Sequence, residues 1–268
     1  MIIRVVSALI AAVGIIAVAY FFKTTGLYAV CSVCVLGCIY EYSKLTLKIA
    51  ATPRHIQISF MLLAALTYAG TLAAPDFAAQ IAVVAAVILL AMLIVSIRRA
   101  PDLGQAFKIS SAALVGLFYV GLFPGFAIGL LGLENGVILF FGLLGIVFAG
   151  DTFAYFSGRL LGKHKLLEPV SPKKTIEGSI GGLVGSAVMG FCLQHFLLPQ
   201  LPVVQFVLIA AASGAFGQVG DLFESLIKRL ADVKDSGRIM PGHGGFLDRL
   251  DGVLFAAPVY YVLLHFLT

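Results

Sequence analysis

Residues 136–150 read GVILFFGLLGIVFAG, an unbroken apolar run that no water-exposed element could carry. Runs of this kind recur along the chain, and their length constrains the fold more than any single motif. The hydrocarbon of a bilayer is about 30 Å thick, so a crossing helix needs about 20 predominantly apolar residues. About nine stretches approach that length: residues 2–22, 27–45, 56–74, 77–97, 110–131, 136–157, 180–198, 203–222 and 252–267. Their apolar residues are continuous rather than alternating, which predicts helices and not barrel strands, and lipid admits no third spanning structure. With 60% hydrophobic and 12% charged residues and a mean hydropathy of +1.05, a water-soluble domain is excluded. The expected fold is all-α: a polytopic membrane protein with about nine transmembrane helices.

The first run is too long for a secretion signal, has only Arg4 at its basic end and lacks a small-residue cleavage site, so it is read as a span. A cytoplasmic N-terminus then puts Arg4, Lys44, Lys48, Arg54, Arg98, Arg99 and Lys108 inside, with segments 159–174 and 228–249, and leaves only Lys23 outside. That asymmetry sets the expected orientation. It also explains a pI near 9.0 with no nucleic acid as partner, since basic loop ends meet anionic lipid heads instead. Cys31, Cys34 and Cys38 share a face of the second run. A thiolate trio without histidine partners does not belong in hydrocarbon, and these residues are assigned to helix packing.

The outward connections TLAAPD, LGLEN and LPQLP are short, whereas the inward segments 158–179 and 224–251 are long and rich in glycine and charge. The first five spans carry almost nothing ionisable. One integrated membrane domain is therefore expected, with scaffold helices in 1–135 and a working half in 136–268. No internal repeat appears, so the signature of many transporters is missing.

Asp151 and Asp221 each end an apolar run, GVILFFGLLGIVFAG and IAAASGAFGQVG. A carboxylate at such a depth costs a few kcal/mol unless it is paired or bound to a cation. Either it dips into interfacial water or pairs with Arg159 or Lys228, or it serves a site. Asp248 and Asp251, in DRLDG, share a helix face if the last span begins near Phe246. With Asp221 they form an oxygen donor set suited to Mg²⁺, which takes a few carboxylates plus waters and phosphate oxygens. In PGHGG, residues 241–245, Gly244 and Gly245 allow backbone N–H groups to face an anion. Lys228, Arg229, Lys234 and Arg238 stand near in sequence.

The segment SPKKTIEGSIGG, residues 171–182, supplies Ser171, Lys173, Lys174 and Thr175 in what reads as a proline-set turn before the next span. It suits phosphate binding at a helix N-terminus. No Walker A, HExxH or GxSxG pattern occurs. His55, His164, His195 and His265 are assigned to packing or interface. His243, between glycines of the charged loop, either orients a carboxylate or phosphate or serves the turn.

The stretch SLIKRLADVKDSGRIMPGHGGFLDRLD, residues 225–251, resembles the signature of the phosphatidate cytidylyltransferases, or CDP-diacylglycerol synthases: SxxKR, four residues, KDxG, then HGGxxDRxD. GDTFAYFSGRLLGKHKL and SPKKTIEGSIGG look like the upstream blocks of that family. The resemblance implies an enzyme that joins CTP and phosphatidate into CDP-diacylglycerol and pyrophosphate, using Mg²⁺ with K⁺ as a second cation, and acting as a homodimer. It implies metal carboxylates at Asp221, Asp248 and Asp251, and phosphate contacts at Lys173, Lys174, Lys228, Arg229, Lys234 and Arg249. Arg159, Ser171, Thr175, Asp151, Asp235, His243, Gly244 and Gly245 complete the expected substrate-binding set. Separately, the compact length and the strict inward placement of basic residues suit a bacterial plasma membrane, with the site on the cytoplasmic face and membrane lipids around it. Two rival readings are a CTP-using lipid kinase, which would move the γ-phosphate, and an ion-coupled transporter, which would consume no CTP.

Overall fold

The computed structural model describes residues 2–47, 49, 52–74, 78–97, 103–237, 239 and 244–267. The backbone divides into two compact units, Met1–Ile128 with Leu230–Arg249, and Gly129–Arg229 with Leu250–Thr268.

In the first unit, α1 (Ile2–Tyr42) is helical except at Lys23, whose φ of 52° and ψ of −142° break it. The break falls between the first two apolar runs of the sequence. A π-helical turn, Ser43–Leu47, follows. Next come α2 (Arg54–Ala73) and α3 (Ala78–Ile97). α4 (Leu103–Gly116) widens into a π-helical stretch, Leu117–Leu122, before α5 (Phe123–Gly129) and a 3₁₀ turn, Leu130–Gly132. The core of this unit centres on Tyr42. Its ring lies 5.9 Å from that of Phe60 and 6.1 Å from that of Tyr119, centroid to centroid, and its hydroxyl donates to the Ala112 carbonyl at 2.8 Å. Gly116 sits where any Cβ would run into the Tyr42 ring.

The second unit is built on α6 (Gly136–Leu161), α7 (Ile176–Leu197), α8 (Val203–Leu230) and, from Leu250 on, α9 (Leu247–His265). Between α6 and α7 stands an antiparallel hairpin of β1 (Lys165–Leu167) and β2 (Ser171–Thr175), with Lys165 opposite Thr175 and Leu167 opposite Ser171. This corrects the sequence reading of SPKKT as a turn. The reversal lies one step earlier, at Glu168, Pro169 and Val170. Pro172 is accommodated because a two-stranded hairpin is all edge, so its missing N–H leaves no central ladder broken.

Helix limits follow from local chemistry. Thr175 caps α7, its hydroxyl accepting from Gly178 N at 3.1 Å, so the helix starts four residues before the expected 180. Glu177 in the first turn accepts from Lys163 N at 3.1 Å and His164 N at 3.2 Å, tying the hairpin to α7. The placement of a carboxylate there suits the positive end of the helix dipole. α6 and α7 pack through glycine: a Cβ at Gly178, Gly181 or Gly185 would meet the backbone or Cβ atoms of Ala154, Ser157 and Phe153. Small residues of this kind let helices approach closely in lipid.

Among the described residues, six helices are long and apolar enough to cross a membrane: Tyr20–Leu47, Arg54–Ala73, Leu103–Gly132, Gly136–Leu161, Ile176–Leu197 and Val203–Leu230. Large apolar side chains such as Tyr20, Leu66, Leu160 and Phe196 are more than 60% exposed on them, as helices in contact with lipid require. The architecture is that of an all-α membrane protein with one small hairpin.

Candidate functional site

The second unit contains a cavity of about 460 Å³ between the C-terminal half of α6, the hairpin, the start of α7 and α8. Asp151, Tyr155 and Arg159 are spaced by four residues on α6 and so stand on one face of it, and all three line the cavity. Arg159 Nη1 donates to the Tyr155 hydroxyl at 3.3 Å. From the hairpin and the cap of α7 come Lys173, Lys174 and Thr175; from α8 come Gln218 and Asp221.

One contact organises the cavity. Lys174 Nζ lies 2.6 Å from Asp221 Oδ2, with both side chains partly shielded from solvent. A partner that compensates Asp221 is thus a lysine of β2. Ser225 Oγ stands at the long limit of hydrogen bonding, 3.5 Å from the other Asp221 oxygen. Ser179 and Gln218 bond to each other across α7 and α8, with Gln218 Nε2 also donating to the Ser179 carbonyl at 3.0 Å. Neither was marked by the sequence, since an uncharged serine or glutamine gives no signal in an apolar helix.

The third aspartate of this unit, Asp251, is brought close by glycine. A Cβ at Gly220 would strike the Asp251 carbonyl, and one at Gly252 would come within 3.2 Å of the Gly217 carbonyl. With α8 and α9 so close, Asp251 stands within electrostatic range of Asp221, Lys228 and Asp151, and Asp151 within range of Asp221 and Lys174. Asp251 Oδ1 accepts from Gly252 N at 2.8 Å. Lys228 pairs one helical turn back with Glu224, whose side chain is fully buried. Arg229 Nε donates to Val170 O in the hairpin turn at 3.3 Å. Ser171 opens β2 and is not part of the cavity wall.

The remaining expected residues belong to the first unit. Asp248, in the first turn of α9, accepts through Oδ2 from Ser236 N at 2.8 Å, Ser236 Oγ at 2.9 Å and Gly245 N at 2.8 Å. Gly244 has φ +85°, and a Cβ there would press on Asp248 Oδ2, so glycine is needed on both counts. Lys234 and Asp235 line a wider cavity of about 1120 Å³, together with Lys44 and Glu41. Arg249 follows Asp248 in the first turn of α9. His243 and Arg238 lie outside the described residues.

Chemically, the cavity of the second unit sets three cations, Arg159, Lys173 and Lys174, opposite two carboxylates. Such a mixture suits a phosphate carried with a hard cation better than a bare phosphate, because carboxylates alone would repel the anion. Among the described residues, no three His, Cys, Asp or Glu side chains converge tightly enough to hold a metal by themselves. Mg²⁺ asks for less than that: one or two carboxylates, with water and phosphate oxygens completing its shell. Asp221, flanked by Asp151 and Asp251, meets that requirement.

The profile of the Cytidylyltransferase family matches residues 2–267. A protein of Staphylococcus saprophyticus named phosphatidate cytidylyltransferase is 41% identical over 177 residues, 66% of this chain and 65% of that one. One of Bacillus subtilis with the same name is 42% identical over 147 residues, 54% of this chain and 55% of its own. One of Staphylococcus aureus, again so named, is 40% identical over 177 residues, 66% of this chain and 65% of its own. The alignment therefore spans less than two thirds of the length of these relatives. A profile match over nearly every residue, on a helical membrane framework with a phosphate-suited cavity, places the chain in one group: it belongs to the Cytidylyltransferase family.

Proposed function

We propose that this protein transfers the cytidylyl group of CTP to phosphatidate, giving CDP-diacylglycerol and pyrophosphate. The observation that carries the proposal is the cavity in which Lys174 holds Asp221 beside Arg159, Lys173 and Asp151. The names of the curated relatives support the same choice of substrates.

A phosphatidate phosphate is already ionised, so its oxygen attacks the α-phosphorus of CTP without a strong general base. One P–O bond forms to the lipid phosphate as the bond between the α-phosphorus and its bridging oxygen breaks, and pyrophosphate departs with that oxygen. The difficulty is charge, since two polyanions must meet in line. Catalysis then consists of positioning and electrostatic stabilisation. Lys173, Lys174 and Arg159 bind the nucleotide phosphates, and Thr175 at the N-terminus of α7 adds backbone donors to the same end. Lys228 and Arg229 face the lipid phosphate or the leaving group. Asp221 and Asp251 would hold a divalent ion, and Asp248, three residues before Asp251 on α9, braces its own loop through Oδ2. A divalent ion held there would supply charge neutralisation for the phosphate groups.

The proposal includes nine crossings, a cytoplasmic N-terminus and site, K⁺ as a second cation, and a homodimer in a bacterial plasma membrane. Its test is pyrophosphate release by the purified protein. Release requires CTP, phosphatidate and Mg²⁺ together and stops on chelation. No release with all three present would contradict it.

A further inference from the structure

Glu41 lies in α1 beside the buried Ile39 and Tyr42, and is 2% exposed. Its carboxylate accepts from Phe246 N at 3.2 Å through Oε1, and from Leu247 N and Ser236 Oγ, each at 3.0 Å, through Oε2. Leu247 begins α9 and Phe246 immediately precedes it, where N–H groups have no partner within the helix. Glu41 thus does from α1 what a capping side chain does locally, and its charge meets the positive end of the helix dipole.

A separate observation comes from the glycines. A Cβ on Gly237 or on Gly245 would collide with the Glu41 carboxylate, and one on Gly37, a turn before Glu41, would collide with the Phe246 ring. The loop is glycine-rich at these points because α1 inserts Glu41 and receives Phe246 there. Ser236 links the two acids. Its hydroxyl stands 3.0 Å from Glu41 Oε2 and 2.9 Å from Asp248 Oδ2, yet it has one proton to donate. Asp248 is held further by Ser236 N and Gly245 N. Glu41 and Asp248 therefore share Ser236 as a partner.

We infer that Glu41 is a positioning residue for Ser236 and for Gly245–Asp248, acting through Ser236 Oγ and the first turn of α9 to fix Asp248. The inference rests on the reading of Asp248 as part of a cytidylyl-transfer site. Glu41→Gln keeps size but turns one acceptor into a donor, aimed at groups that are themselves donors.

The experiment pairs two readouts on the full-length protein in detergent. In Glu41→Gln, hydrogen exchange at Ser236 and at Gly245–Asp248 accelerates by about tenfold or more, matching the loss of one charged hydrogen bond, while α6 and α7 keep their protection. Transfer falls about tenfold in kcat, with KM for CTP within about twofold, since groups that contact CTP are untouched. Glu41→Asp, which retains both acceptors, recovers part of kcat. Unchanged exchange overturns the inference, and so does faster exchange with unchanged kcat. Should Glu41→Gln fail to fold, Ser236→Ala decides: faster exchange confined to Gly245–Asp248 together with lowered kcat supports the inference, and any other result overturns it. Absence of CTP turnover in the unaltered protein would sink the functional reading instead, while exchange would still report whether Glu41 holds the loop.

Discussion

Lys174 and Asp221 form an ion pair in the wall of the cavity, and the proposed function gives the same pair a second task. Asp221 ends an apolar helical stretch, and the ammonium group 2.6 Å away compensates its charge. Replacing Lys174 with Met removes both that compensation and a cation for phosphate. We expect kcat/KM for CTP to fall about a hundredfold or more, the scale of losing one preorganised electrostatic donor. The more exposed Lys173→Met should lose less, and near-normal transfer in Lys174→Met would exclude Lys174 from the site. Glu224 and Lys228 make a different prediction. Truncation of Glu224 to Ala leaves a shielded ammonium without its nearest anion, a loss of about 3–5 kcal/mol for buried pairs. Because Lys228 retains 16% exposure, the lower end is expected, read as a drop in thermal midpoint in detergent. The double variant Glu224→Ala, Lys228→Met should regain most of the stability and none of the transfer.

Residues differ in how visible they are in sequence. Asp151 and Asp221 stand out because a carboxylate next to an apolar run is costly, and the structure places them in one cavity with Arg159 and Lys174. Glu41 does not stand out. It lies near the end of an apolar run beside Lys44, where an acid reads as part of an interfacial flank, and its partners are 195 to 206 residues away. The expectation that the first five spans hold almost nothing ionisable passes over it, because pairing across such a separation leaves no local pattern.

Among elements, the spans are legible because continuous apolar sequence has one solution in lipid, and each predicted run overlaps a helix. The hairpin is not legible: KLLEPVSPKKT is short, charged and carries proline in its second strand, so no alternation of period two emerges. Its pairing with Glu177, fourteen residues beyond Lys163, is tertiary information. The α8–α9 contact offers a test at this scale. Gly220→Ala gains up to about 1 kcal/mol of helix propensity but drives a methyl into the Asp251 carbonyl, an overpacking that costs about 1–3 kcal/mol. We expect lowered stability and lowered transfer. Gly145→Ala is the control, since its Cβ would meet nothing closer than 3.7 Å, and it should leave both within experimental scatter. For the cap of α7, Thr175→Ala should cost about 1 kcal/mol.

For the whole molecule, the central proposition is that inward loops bring water-borne CTP to a lipid held among helices. Basic residues are concentrated on the side assigned as cytoplasmic, which predicts that a cysteine introduced at Lys165 in the hairpin reacts with a membrane-impermeant maleimide in inverted vesicles and not in right-side-out ones. The opposite pattern would reverse the assigned topology. The chemistry itself is tested most directly by the fate of the CTP phosphates. Purified protein is given phosphatidate, Mg²⁺ and CTP labelled in either the α- or the γ-phosphate. The account predicts α-label in the lipid product and γ-label in pyrophosphate. Label from the γ-phosphate in lipid, or intact CTP after incubation, would contradict it.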